Sequence, residues 1–149
     1  SFAMNIRTYQ PEDRQAVMEL FDCNCPQYFA PEERADLETY LEKELEDYFV
    51  VEVDGRVLAA GGINLQDAGQ KGVLSWDMIH PDYHGRGIGK ELVRFRIRHL
   101  QEKYRVKEIR VRTAQFTHGF YAKCGFELQE IVVDYWAPGY DLYDMKYIW

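Results

Sequence analysis

The sequence predicts an α/β domain, one mixed sheet of about seven strands with helices on both faces, in the order βααβββαβαββ. Three observations carry this. Two β-rich segments meet at Asp54-Gly55, where both residues tolerate positive φ, so they read as an antiparallel hairpin. A strand ending near Ile79 runs into the glycine-rich turn 85–89 and then a long amphipathic helix, the opening of a βαβ crossover. The length of 149 residues suits one domain, 1–149, with its own hydrophobic core.

Each element follows from its residues. Positions 5–9 alternate apolar and polar, as in a short strand. Pro11 suits the first turn of a helix, with Glu12 and Asp13 at its positive end and Ala16, Val17, Leu20 and Phe21 as its apolar stripe. Pro26 ends it. A second helix starts near Pro31, buries Leu37, Leu41 and Leu45, and is acidic elsewhere. Residues 48–53 and 57–65 are the hairpin strands, 66–72 a loop, and 73–79 a further strand stopped by Pro81. The long helix after the glycine-rich turn carries Ile88, Leu92, Phe95, His99 and Leu100 on one side. Residues 109–113 form a strand, 117–123 a short helix closed by Gly125, and 126–135 and 140–148 two final strands joined through Ala137-Pro138-Gly139.

Composition narrows the function. No apolar run approaches the ~18 residues that span a bilayer, and Ser1-Phe2-Ala3-Met4 lacks the basic start and apolar stretch of a secretion signal. Cys23, Cys25 and Cys124 form no disulfide framework, which points to a reducing, cytoplasmic setting, and Cys23-x-Cys25 has no second pair with which to hold a metal. The net charge of -7 argues against nucleic acid as a partner, and nothing suggests a membrane. The charge is uneven, +6 over residues 84–107 and -8 over residues 32–54. Solvated helix faces account for many of these residues, but the asymmetry suggests one region that attracts anions and another that attracts cations.

The densest signal is His84-Gly85-Arg86-Gly87-Ile88-Gly89-Lys90. A helix start leaves N–H groups unpaired at the positive end of the macrodipole, and glycines let successive amides turn toward an anion. Arg86 and Lys90 add full charge. The spacing fits neither a Walker loop nor a Gly-x-Gly-x-x-Gly dinucleotide fingerprint.

Ile79-His80-Pro81-Asp82-Tyr83-His84-Gly85-Arg86-Gly87-Ile88-Gly89-Lys90 resembles motif A of the GNAT superfamily of acetyl-CoA-dependent N-acetyltransferases. The motif's Gln/Arg-x-x-Gly-x-Gly/Ala pattern falls on 84, 87 and 89, with His84 departing from it. Phe120-Tyr121-Ala122-Lys123-Cys124-Gly125-Phe126 resembles motif B, about thirty residues further on. The resemblance covers nearly the whole chain and implies acetyl-CoA as co-substrate, with no metal. Its pyrophosphate would lie on His84, Gly85, Arg86, Gly87, Ile88, Gly89 and Lys90. Its pantetheine would lie against the main chain of Met78, Ile79 and His80, in a gap between the strand ending at Ile79 and the strand 109–113. Arg94 is a further candidate for phosphate charge.

The resemblance also casts Tyr121 as the proton donor to the departing thiolate, and an amide of Met78 or Ile79 as the oxyanion's partner. Asp77, just before the pantetheine segment, is the first candidate for general base. His118, Glu32, Glu33 and ordered water stay open. The acceptor is expected to be the primary amine of a small molecule or peptide. A cationic one would suit Asp134, Asp141 and Asp144 among Tyr135, Trp136, Tyr140 and Tyr143. Two other readings remain, a CoA-binding or sensing module without turnover and an unrelated nucleotide-phosphate binder. The last strand, with Tyr143, Tyr147 and Trp149, either pairs across a homodimer or covers its own sheet.

Overall fold

The computed structural model describes residues 3–149, so the reading of Ser1 and Phe2 lies outside the described residues. β1 (Asn5–Thr8) is followed by a 3-10 turn that leads into α1 (Arg14–Cys23). α2 (Glu33–Thr39) continues as a π turn, Tyr40–Glu44. β2 (Asp47–Val53), β3 (Arg56–Gln66) and β4 (Lys71–Ile79) then precede α3 (Ile88–His99), whose end also widens into a π turn. β5 (Glu108–Thr113), α4 (His118–Lys123), β6 (Phe126–Ala137) and β7 (Tyr140–Tyr147) complete the chain. Asp54 and Gly55 take φ of 51° and 76° in the turn between β2 and β3, the pair of positive values that a two-residue hairpin of this twist requires.

The seven strands lie in the order β1-β2-β3-β4-β5-β7-β6, and only β4 and β5 run parallel. Alternate residues of the sheet feed opposite faces. Val50 and Ala60 pack with Val17, Phe21 and Leu37 under α1 and α2. Phe49, Val51 and Ala59 pack with Ile88 and Leu92 of α3, and Ile97 with Tyr121 of α4 joins a third cluster.

Of the two readings of the last strand, the sheet takes the second. β7 pairs with β5 on one side and β6 on the other, so it is interior and cannot pair across a dimer. The free edge at that end of the sheet is β6, which exposes Leu128, Ile131, Val133 and Tyr135.

Candidate active site

The site begins with a fault in β4. Ala60 of β3 faces Met78 and Gly62 faces Ser75, so Trp76 and Asp77 together oppose Gly61. Two residues against one is a β-bulge, and it bends the strand that carries it. Trp76 sits at a φ of 51°, and the buried Tyr48 hydroxyl donates to its carbonyl at 2.9 Å. On its other side β4 pairs with β5 only from Lys71/Glu108 to Leu74/Val111. Beyond that the strands part, opening a cleft of about 860 Å³ lined by the ends of both.

Partners in an antiparallel ladder turn their amides toward each other at alternate positions. The His80 N–H donates to Leu58 of β3 at 2.8 Å, so Ile79, one residue away, turns its amide to the gap. Of the three expected pantetheine contacts, Ile79 therefore has the free N–H. Its carbonyl already accepts from Asn24 Nδ2 and His84 Nε2, each at 3.0 Å. His84 thus serves the strand end with its side chain.

The cleft ends at the glycine-rich turn. The amides of residues 85–90 donate no hydrogen bond within the protein among the described residues, because the first backbone bond of α3 runs from Glu91 to Gly87. Six successive free donors at a helix start suit a diphosphate. Ile88 has only its amide to offer, since its side chain is core, and the Arg86 guanidinium lies 5.0 Å over the Tyr83 ring. Lys90 lines the cleft and, with Arg94 and Lys123, a basic groove beside it. Gly87 caps the helix at φ 85°, where a Cβ is strained. Gly87→Ala is expected to cost about 1–2 kcal/mol in a urea titration and to weaken CoA binding.

Under the bulge lies a buried chain of three side chains. Asp77 accepts from Arg96 Nη1 with one carboxylate oxygen and from the Tyr121 hydroxyl with the other. Arg96 is 0% exposed, and it also donates from Nη1 to the Gly62 carbonyl at 3.0 Å and from Nε to that of Leu92 at 3.1 Å. Its Nη2 has no hydrogen-bond partner among the described residues. Burial opposes the charge on Arg96, but the Asp77 carboxylate more than offsets this and holds the guanidinium ionised. Burial, and then the Asp77 charge, push the Tyr121 phenol well above its ordinary range. A Cβ at Gly61 would lie 2.7 Å from Asp77 Oδ1 and 2.8 Å from Arg96 Nη1, so the ion pair needs glycine there.

The acidic pocket expected near the C-terminus is not there. Asp134 accepts from the Gly139 amide and Asp141 from the Asp134 amide, each at 2.8 Å, while Asp144 pairs with Arg110 at 3.4 Å. All three hold the β6–β7 hairpin and its neighbour together. Of the aromatics beside them, Trp136 lines the cleft, and Tyr140 reaches across to donate to the Pro26 carbonyl at 2.6 Å. The carboxylates that line the cleft are Asp77 and, from the second helical segment, Glu33 and Glu44. Glu32 is exposed and away from it, and His118 packs its ring on Tyr143 at 4.5 Å.

Arg96 and Asn24 escaped the sequence reading. Arg96 had a visible signal, because it interrupts the apolar line 88, 92, 96, 100 of a helix at four-residue spacing. Asn24 had none. Among the described residues no group of three or more His, Cys, Asp or Glu is placed to hold a metal, and no helix is long and apolar enough to cross a membrane.

Comparison with known proteins agrees with this geometry. A search of curated sequences finds no match. Solved structures share the fold. Ard1 from Thermoplasma volcanium aligns at TM-score 0.80 and 19% identity, over 97% of this chain and 96% of that one. A Desulfovibrio desulfuricans protein assigned to the GNAT acetyltransferases aligns at TM-score 0.80 and 16% identity, over 97% and 98%. The spermidine/spermine N-acetyltransferase SpeG from Vibrio cholerae aligns at 0.71 and 15%, over 96% and 91%. The model of the Acetyltransferase (GNAT) family matches residues 14–126, most of the chain, from α1 through motif B. On that match, and on a sheet that parts where the family's co-substrate would enter, the chain belongs to the GNAT family of acetyl-CoA-dependent acyltransferases.

Proposed function

We propose that residues 1–149 form one N-acetyltransferase domain, working in the cytoplasm, that moves an acetyl group from acetyl-CoA to the primary amine of a small molecule or peptide by direct attack in a ternary complex. The observation that carries this is the parted β4–β5 pair, with free amides at one end and the Tyr121 hydroxyl in its wall. Three free cysteines accord with a reducing compartment.

Acetyl-CoA supplies an acetyl group on a thioester, a good leaving group. The amides of 85–90 are placed to hold its diphosphate, with Lys90 adding charge. The Ile79 N–H on β4 is available to the pantetheine arm or to the oxyanion. The amine nitrogen forms the new C–N bond as the C–S bond breaks. An acceptor that arrives as an ammonium first gives up one proton to water, the neutral nitrogen loses a second as it attacks, and one proton reaches the sulfur. Tyr121 is the donor to sulfur: its one proton, held on Asp77 at rest, turns to the sulfur as the C–S bond breaks. Asp77 has both oxygens engaged and would have to release a partner to act as base, so we assign it to positioning Tyr121, with Arg96 holding Asp77. Burial first, and then the Asp77 charge, keep the Tyr121 proton in place beyond the ordinary phenol range of ~10.

A CoA-binding module without turnover shares the cradle and the gap but has no use for the Tyr121–Asp77–Arg96 chain. Calorimetric titration with CoA, ATP and NAD tests the cradle. CoA is expected to bind at least about tenfold more tightly than the others, because its pantetheine arm alone finds the open strand edge. Equal affinities would remove the strand gap from the reading.

A further inference from the structure

We propose that Glu33 is the docking carboxylate for the acceptor's ammonium, and that the acceptor is a primary alkylammonium on an apolar body with no carboxylate beside the amine. This rests on the transferase reading above and names its substrate class.

Glu33 opens α2 and lines the cleft, yet the residue is only 8% exposed. Its Oε2 accepts the Ala30 amide at 2.9 Å, and the Glu33 amide returns a bond to the Ala30 carbonyl at 3.0 Å, so the side chain is fixed. Oε1 has no hydrogen-bond or ion-pair partner among the described residues. Oε1 is not one of the fully buried atoms, so this fixed and half-satisfied carboxylate presents its free oxygen to the cleft, where a cation can meet it. Burial raises its carboxyl above the usual range, a shift that a cation at Oε1 would oppose.

The surroundings select what the cation is attached to. Phe29 stacks on Trp76 with ring centroids 5.9 Å apart, and the Tyr40 ring stands 6.4 Å from Trp76. All three line the cleft, so this wall is aromatic, suited to an apolar body and to cation–π attraction. Its second charge is another carboxylate, Glu44. The cleft's cations, Lys90 and Arg112, belong to the cradle and to β5. An acceptor carrying a carboxylate beside its amine would meet Glu33 with like charge. Trp76 and Asp77 are consecutive residues of one bulge, so the wall that holds Glu33 adjoins the residue that positions Tyr121.

The probes are 2-phenylethylamine, its neutral counterpart 2-phenylethanol and its carboxylated counterpart phenylalanine, titrated into the wild-type protein saturated with CoA. 2-Phenylethylamine is expected to bind at least about tenfold more tightly than either. In turnover, Glu33→Gln keeps an acceptor for the Ala30 amide and is expected to raise the KM for 2-phenylethylamine by about tenfold or more, with the KM for acetyl-CoA within about twofold. An unchanged amine KM in Glu33→Gln overturns the proposal. So does phenylalanine or 2-phenylethanol binding as well as the amine, or no binding of the amine by protein that binds CoA. Should Glu33→Gln fail to fold, the three wild-type titrations decide alone. Failure of the parent to bind CoA at all removes the transferase reading instead.

Discussion

Arg96→Leu is expected to lower the unfolding free energy by about 3–5 kcal/mol, the usual consequence of removing one partner from a buried ion pair. The substitution leaves Asp77 under the bulge with a negative charge and no cation. It also deprives the Gly62 carbonyl of the donor that reaches it from Arg96. Urea denaturation reads the loss. Asp77→Asn in the same chain removes the stranded charge and is expected to recover part of it, since a buried pair is seldom worth more than a neutral replacement. The pair here is not an efficient stabiliser, because Arg96 Nη2 goes without a partner. Its role is better read as geometry: it holds Asp77 on Tyr121 and pins the bulge. A loss below about 1 kcal/mol for Arg96→Leu would show that the guanidinium is replaceable.

Tyr121→Phe is expected to reduce acetyl transfer by at least about tenfold while leaving CoA affinity within about twofold, because it deletes the proton donor and little of the wall. Steady-state kinetics on one amine, paired with CoA calorimetry, measures both. The same change takes a donor from the buried Asp77 carboxylate, a loss of about 1–3 kcal/mol in stability, so the assay belongs well below the variant's melting range. Unchanged turnover would remove Tyr121 from the chemistry. A parallel fall in CoA affinity would recast it as a wall of the binding site.

Much of the fold was legible because its signals are local. The Asp54-Gly55 turn, the prolines at 11, 26 and 81, and the alternating strands each declare themselves within a few residues. The glycine-rich turn at the start of a long helix was legible for the same reason, since the two are contiguous in the chain. The acceptor side was not. Asp134, Asp141 and Asp144 look like a cluster in the sequence, but a hairpin of positive-φ residues with a bulged register consumes them as caps and a cross-strand ion pair. Glu33, one of ten acidic residues between 32 and 54, is distinguished by its burial and its bond to the Ala30 amide, which the packing of the turn before α2 decides.

By itself the sequence determined the order of the elements, the glycine-rich turn at the start of α3 and the presence of Tyr121 in a motif B segment, because each depends on residues that are neighbours in the chain. Tertiary structure alone decided that β4 carries a bulge, that the strands part after Leu74 and Val111, and that Asp77, Arg96 and Tyr121 meet. Those contacts span 19 and 44 residues of chain. No local propensity encodes them: they arise when an arginine in the apolar line of α3 is packed against the faulted strand and must find a carboxylate there.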